Sequence, residues 1–149
     1  MSLGTFIYES NVIEGITREP TETELQAYKT FLAHPEIHVH HLNAFVWDVA
    51  GALLRWRQGR DVRVGPHRPP RGGPEIESAL EAICADVSSN PAPPPYDIHR
   101  RYETLHPYMD GNGRSGRVLW AWQMQRRGQN PFGLPFLQRW YYDSLQATR

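Results

Sequence analysis

An all-α fold with one small β-hairpin is what the sequence predicts, on three observations. Apolar residues recur at helical spacing through most of the chain. Helix-start and helix-stop residues bracket those runs, as in Thr21-Glu22-Thr23-Glu24 and His106-Pro107. Residues 59–73 break the pattern: Val62 and Val64 alternate with Arg63, and a Gly- and Pro-rich tract follows that forbids regular helix.

Taken in order, residues 6–16 predict a short amphipathic helix with Ser10 as its N-cap and Gly15 to end it. A capping box at Thr21 and Glu24 starts a second helix. It carries Leu25, Tyr28, Phe31 and Leu32 on one face and stops near His34-Pro35. His34, His38, His40 and His41 have partial metal-ligand spacing. No cysteine or carboxylate cluster completes a ligand set, so a structural or surface role is expected. From Ile37 to about Trp56, Leu42, Phe45, Val46, Val49 and Leu53 predict a third, core helix.

After the 59–73 tract, Pro74 opens a helix with Ile76, Leu80, Ile83, Cys84 and Val87. Pro91–Pro95 form a stiff link to a helix bearing Ile98, Tyr102 and Leu105, which ends at His106. The helix after the glycine loop is apolar nearly all round from Val118 to Met124 and is therefore expected to be central and buried. Gly128 and Asn130-Pro131 close it, and residues 137–145, with Trp140 and Tyr141, predict a last short helix.

Composition narrows the function classes. A chain of 149 residues is expected to form one domain with a sufficient core. Sixteen basic and sixteen acidic residues cancel, which argues against wholesale attraction to nucleic acid. The local cluster Arg55, Arg57, Arg60, Arg63, Arg68 and Arg71 is the best support for a nucleic-acid alternative, but it lacks interleaved aromatics for stacking bases. The single Cys84, in an apolar-periodic stretch, suits a buried structural thiol in a reducing compartment. The most apolar stretch, residues 44–54, is too short for a membrane span and contains Asp48, so a cytoplasmic protein is expected.

The chemistry concentrates in His106-Pro107-Tyr108-Met109-Asp110-Gly111-Asn112-Gly113-Arg114-Ser115-Gly116-Arg117. Glycines flanking an asparagine at a helix start form an anion-binding concavity. Arg114 and Arg117, three apart, add guanidinium forks for phosphate oxygens, and Asp110 is a hard ligand for Mg²⁺ beside those phosphates. His106, which titrates near neutrality, suits a general base for a hydroxyl nucleophile. Alone, each feature admits an ordinary reading as a helix end, a turn or a solvated face; the conjunction points to phosphate chemistry.

These residues resemble the Fic family signature H-x-F-x-(D/E)-G-N-G-R-x-x-R, with Tyr108 in place of the usual Phe. Tyr should serve in that anchoring position if its hydroxyl finds a partner. The resemblance implies a Fic-type helical fold in one domain, residues 1–149, and a protein adenylyltransferase moving AMP from ATP, with Mg²⁺, to a Ser, Thr or Tyr hydroxyl of a target protein. In that reading His106 is the base, Asp110 holds the metal, and Gly111, Asn112, Gly113, Arg114 and Arg117 hold the nucleotide. Ser10-x-x-x-Glu14-Gly15 matches the family's inhibitory motif, within a segment of about 8–16. Residues 59–73, with Val62, Arg63 and Val64, resemble its target-binding flap. Other phosphoryl or nucleotidyl transfer, removal of AMP, or a non-enzymatic nucleotide-sensing or antitoxin-type module are the alternatives. Homo-oligomerisation is left open.

Overall fold

In the computed structural model, residues 2–55 and 72–132 are described, and they form six helices. These are α1 (Leu3–Ile13), α2 (Glu22–Leu32), α3 (Val39–Ala50), α4 (Pro74–Val87), α5 (Pro95–Leu105) and α6 (Asn112–Arg126). The predicted flap, with Val62, Arg63 and Val64, and the predicted 137–145 helix lie outside the described residues.

The fold is built around α6. From Arg114 to Met124 every residue of this helix is buried, because α1, α2, α3 and α5 all pack on it. Val118, Leu119, Trp120, Ala121 and Trp122 therefore supply the centre of the core. The flanking helices each contribute one apolar stripe: Tyr28 and Phe31 from α2, Leu42, Phe45 and Val46 from α3, and Ile98, Tyr102 and Leu105 from α5. Around the core centre, the Tyr28 and Phe45 rings meet edge to face with centroids 4.8 Å apart. No helix among the described residues is long and apolar enough to cross a membrane.

Local chemistry sets most helix ends. At α2 the capping box is formed as expected: Thr21 Oγ1 accepts from Glu24 N at 3.1 Å, and Glu24 Oε1 accepts from Thr21 N at 2.8 Å. Burial pushes the Glu24 carboxyl up, but hydrogen bonds from Arg18, Thr21 and Asn11 outweigh it and hold it at about 2.

Two expectations are corrected. The first helix begins at Leu3 with Ser2 as N-cap, so Ser10 is a buried interior residue and not a cap. The third helix stops at Ala50, six residues before Trp56, because Gly51 takes φ +63°, a left-handed turn that costs glycine no steric clash. Beyond it the chain leaves the helix, and Leu54 forms an isolated antiparallel bridge with Tyr108.

The histidine run packs on itself. The His34 and His41 rings stack 3.7 Å apart, and His41 Nδ1 accepts from the His38 N–H as part of the α3 cap. Cys84 is buried, which pushes its thiol up to about 12.

Candidate active site

The site lies where α5 ends and α6 begins. His106 is the C-cap of α5, with φ +50°, the left-handed region that a side chain with a Cβ rarely enters. That conformation turns the chain sharply into the loop. It is held from outside by Arg55, whose Nε donates to His106 O at 2.5 Å and whose Nη2 donates to Leu105 O at 2.9 Å. A guanidinium fork thus satisfies the terminal carbonyls of α5, where a cation also meets the negative end of the helix dipole. The backbone on either side is pinned as well, with Arg55 N donating to Pro107 O at 2.8 Å and Met109 N to Leu53 O at 3.0 Å.

In the sequence Arg55 opens the arginine cluster that supports the nucleic-acid alternative. It is wholly buried. The other five arginines of that cluster lie outside the described residues.

Asn112 organises the loop. Its Oδ1 accepts from Tyr108 N and its Nδ2 donates to Tyr108 O, both at 2.8 Å, which closes the turn between Tyr108 and the first residue of α6. The same Nδ2 lies 3.1 Å from His106 Nε2. An amide nitrogen only donates, so this contact makes Nε2 the lone-pair nitrogen and turns it toward the loop. Tyr108 is buried and its hydroxyl donates to Asn43 Oδ1 at 2.7 Å, so the tyrosine in the usual phenylalanine position has the partner it requires.

Gly111 is required twice. It adopts φ +80°, and a Cβ there would sit 2.9 Å from Ala50 Cβ. Asp110 is exposed at the loop tip, and its Oδ1 accepts from Gly111 N at 2.8 Å. The first-turn N–H groups of α6 follow, at Asn112, Gly113 and Arg114, where a helix has no intrahelical acceptors to offer.

The two arginines expected to converge on one anion face different ways. Arg114 is buried, and its Nη1 donates to Val49 O at 2.9 Å, gripping the C-terminal turn of α3. Arg117 instead meets α1: Nε donates to Ser10 Oγ at 2.7 Å, and Nη2 donates to Ser10 O at 3.0 Å and to Glu14 Oε1 at 2.6 Å. Glu14 lies against the loop itself. A Cβ added at Gly113 would be 2.1 Å from Glu14 Oε1, so the carboxylate lies directly over the first turn of α6. An anion, in the form of a side chain, thus occupies the position where helix N-terminus and guanidinium combine.

Several supporting residues had little or no sequence signal. Tyr102 OH and Ser115 Oγ are 2.6 Å apart, and Ser115 Oγ donates to Gly111 O at 2.7 Å, tying α5 to the α6 cap. His99 Nδ1 lies 3.1 Å from Gly116 O. Since a carbonyl only accepts, Nδ1 carries the proton. Burial pushes His99 down to about 3, so the ring is neutral. Its sequence signal was weak but present: His99 falls on the same helical face as Ile98, Tyr102 and Leu105.

Residues 33–124 match the model of the Fic/DOC family. Two relatives, each named "Protein adenylyltransferase Fic", come from Drosophila persimilis and Drosophila pseudoobscura pseudoobscura. Each is 32% identical over 94 residues, covering 58% of this chain and 18% of the relative. The chain thus spans about a fifth of the length of these relatives. Among solved structures, a fragment of Fic-1 from C. elegans bearing a glutamate-to-glycine substitution aligns with a TM-score of 0.59 and 26% identity. That alignment covers 84% of this chain and 41% of the other. With the helical fold, the loop between α5 and α6 and the family match over residues 33–124 in agreement, the chain belongs to the Fic/DOC family.

Proposed function

We propose that this chain is a protein adenylyltransferase, transferring AMP from ATP to a Ser, Thr or Tyr hydroxyl of a target protein, and that Glu14 restrains it. The observation that carries the reading is the position of His106. A strained left-handed backbone, clamped by Arg55, turns its Nε2 lone pair toward a loop that ends in a helix N-terminus.

In this reading the acceptor hydroxyl displaces the Asn112 amide at His106 Nε2 and gives that nitrogen its proton. The hydroxyl oxygen forms a bond to the α-phosphorus as the bond from that phosphorus to the bridging oxygen breaks, and pyrophosphate leaves with the electron pair. The N–H groups of Asn112 and Gly113 at the α6 N-terminus, with Gly111 giving close approach, stabilise charge on the phosphate oxygens. Asp110 suits Mg²⁺, which uses one or two protein carboxylates together with substrate phosphates; when bound it neutralises phosphate charge. Arg117 receives the terminal phosphate once Glu14 leaves it. Arg114 acts one step back, fixing α6 on the end of α3. The 59–73 segment, with Val62, Arg63 and Val64, is assigned to target docking by β-strand addition.

A charge-assisted hydrogen bond such as Arg117–Glu14 is worth about 1.5–3 kcal/mol, enough to suppress productive nucleotide binding more than tenfold. The test uses ATP labelled on the α- or γ-phosphate, with Mg²⁺ and cell lysate. Glu14→Gly should raise α-label transfer over wild type by about tenfold or more, and His106→Ala introduced into it should abolish the transfer. Transfer of γ-label would establish different chemistry, and equal rates for wild type and Glu14→Gly would remove Glu14 from regulation.

A further inference from the structure

Glu14 can restrain Arg117 only if something holds Glu14 in place, and its immediate surroundings do little of this. The residue is exposed, and it is the C-cap of α1, where a helix has run out of its own hydrogen bonds. A Schellman motif shapes this end. Gly15, at φ +80°, donates from its N–H to Val12 O, and Ile16 N donates to Asn11 O, both at 2.9 Å. Glu14 N also donates to Asn11 O at 2.9 Å. The carbonyl of Asn11 therefore receives the backbone on both sides of Gly15.

Asn11 is wholly buried, and its side chain is gripped from another element. Its Nδ2 donates at 2.9 Å to Glu24 Oε2, in the first turn of α2. Glu24 is buried as well, and its Oε1 accepts from Thr21 N at 2.8 Å, from Thr21 Oγ1 at 3.0 Å and from Arg18 Nη1 at 2.6 Å. One carboxylate thus gathers the last turn of α1, the connection after it and the first turn of α2. The capping box needs only the Oε1 half of this arrangement. The Oε2 half reaches across to α1 and fixes which way the Asn11 amide faces, because an ionised carboxylate only accepts. Asn11 Oδ1, turned away from it, is buried without a hydrogen-bond partner. An orphaned acceptor is a cost, and the charge-assisted bond to Glu24 holds the amide against it.

We propose that Glu24 is a positioning residue for Glu14, acting through Asn11: its Oε2 locks the turn that carries the Glu14 carboxylate over the start of α6. Ser10 precedes Asn11 in the chain, so the same lock fixes the hydroxyl that receives Arg117 Nε. The restraint on transfer rests on the proposed function, whereas the placement of the turn rests on these contacts alone.

The test exchanges the two polarities in the whole chain. Asn11→Asp sets a carboxylate against a carboxylate, most unfavourably at about pH 8, where the pair is least able to share a proton. Combining it with Glu24→Gln restores one donor and one acceptor at the same place and the charge of the native pair. Amide hydrogen exchange at Glu14 and Ile16, followed by NMR, should be about tenfold faster or more in Asn11→Asp, a larger rise than at any amide of α6, and should return towards wild type in the combined variant. AMP transfer should rise about fivefold or more in Asn11→Asp and fall back in the combined variant. Introduced into Glu14→Gly, the same substitution should give no gain, because no carboxylate is left to position. Asn11→Ala, which only removes the donor, takes the place of Asn11→Asp if that variant does not fold. Equal effects on transfer with and without the Glu14 side chain overturn the proposal. So does exchange at Glu14 and Ile16 that rises no more than in α6, or a combined variant no better protected than Asn11→Asp. Absence of AMP transfer by every variant would sink the proposed function and leave the exchange rates to decide the role of Glu24.

Discussion

Replacing Arg55 tests whether the base is positioned by a residue that never meets substrate. In Arg55→Met the chain keeps most of its apolar volume but loses the donors at 2.5 Å to His106 O and 2.9 Å to Leu105 O. Hydrogen bonds from a charged donor are worth about 1.5–3 kcal/mol each, and the two carbonyls are left at the end of a helix with no replacement donor. The expected loss is therefore about 3–6 kcal/mol. The left-handed conformation of His106, itself costing about 1–2 kcal/mol, is then no longer held in place. Arg55→Lys should fall between, because a single ammonium cannot fork both carbonyls at the original geometry. Urea denaturation gives the stability, with midpoint and slope compared separately. Transfer measured in the Glu14→Gly background gives the positioning effect, expected as a fall in kcat of more than tenfold with little change in Mg-ATP affinity. A stability loss below about 1 kcal/mol with kcat unchanged would refute the clamp.

Two further outcomes follow from single contacts. Tyr108→Phe removes only the 2.7 Å bond to Asn43 and restores the family's usual aromatic, so stability should fall by about 1 kcal/mol and transfer should persist; thermal melts and rates check it. His41 is held down to about 4 by burial and by neighbouring histidines, below its ordinary value of 6.5, so the unfolded chain takes up its proton first. Stability should therefore be lost as pH falls from about 6.5 towards 4, by at most about 3 kcal/mol, and His41→Gln, which keeps an acceptor at that cap position, should flatten this part of the pH profile.

What the sequence revealed was what is decided locally. The capping box of α2, the end of α5 at His106-Pro107 and the turn at Gly111-Asn112 each depend on residues within a few positions, and all three are formed. Ser10 was misread because a serine near a helix looks the same whether it caps that helix or receives an arginine from 107 residues away. The end of α3 was placed too late because apolar residues continue past Gly51, where Ala52 is buried and Leu54 pairs with Tyr108, so composition did not change where conformation did. Arg55 sits beside a run of other arginines, and only its partners across the fold distinguish it. Of the signature residues, the structure gathers His106, Asp110, Gly111, Asn112 and Gly113 around one loop, while Arg114 faces α3 and Arg117 faces α1.

The two bonds from Arg117 to Ser10 mean that α1 cannot be regarded as a detachable plug. One end of the contact, Glu14, fills the anion position; the other, Ser10, aims the guanidinium that creates it. Removing the glutamate side chain empties the position and leaves the arginine oriented. Removing the helix takes the orientation away as well, and also withdraws Phe6 and Ile7 from the core. A truncated chain and a point variant that both lack the carboxylate are therefore different molecules at this site, and only the second isolates what the carboxylate does.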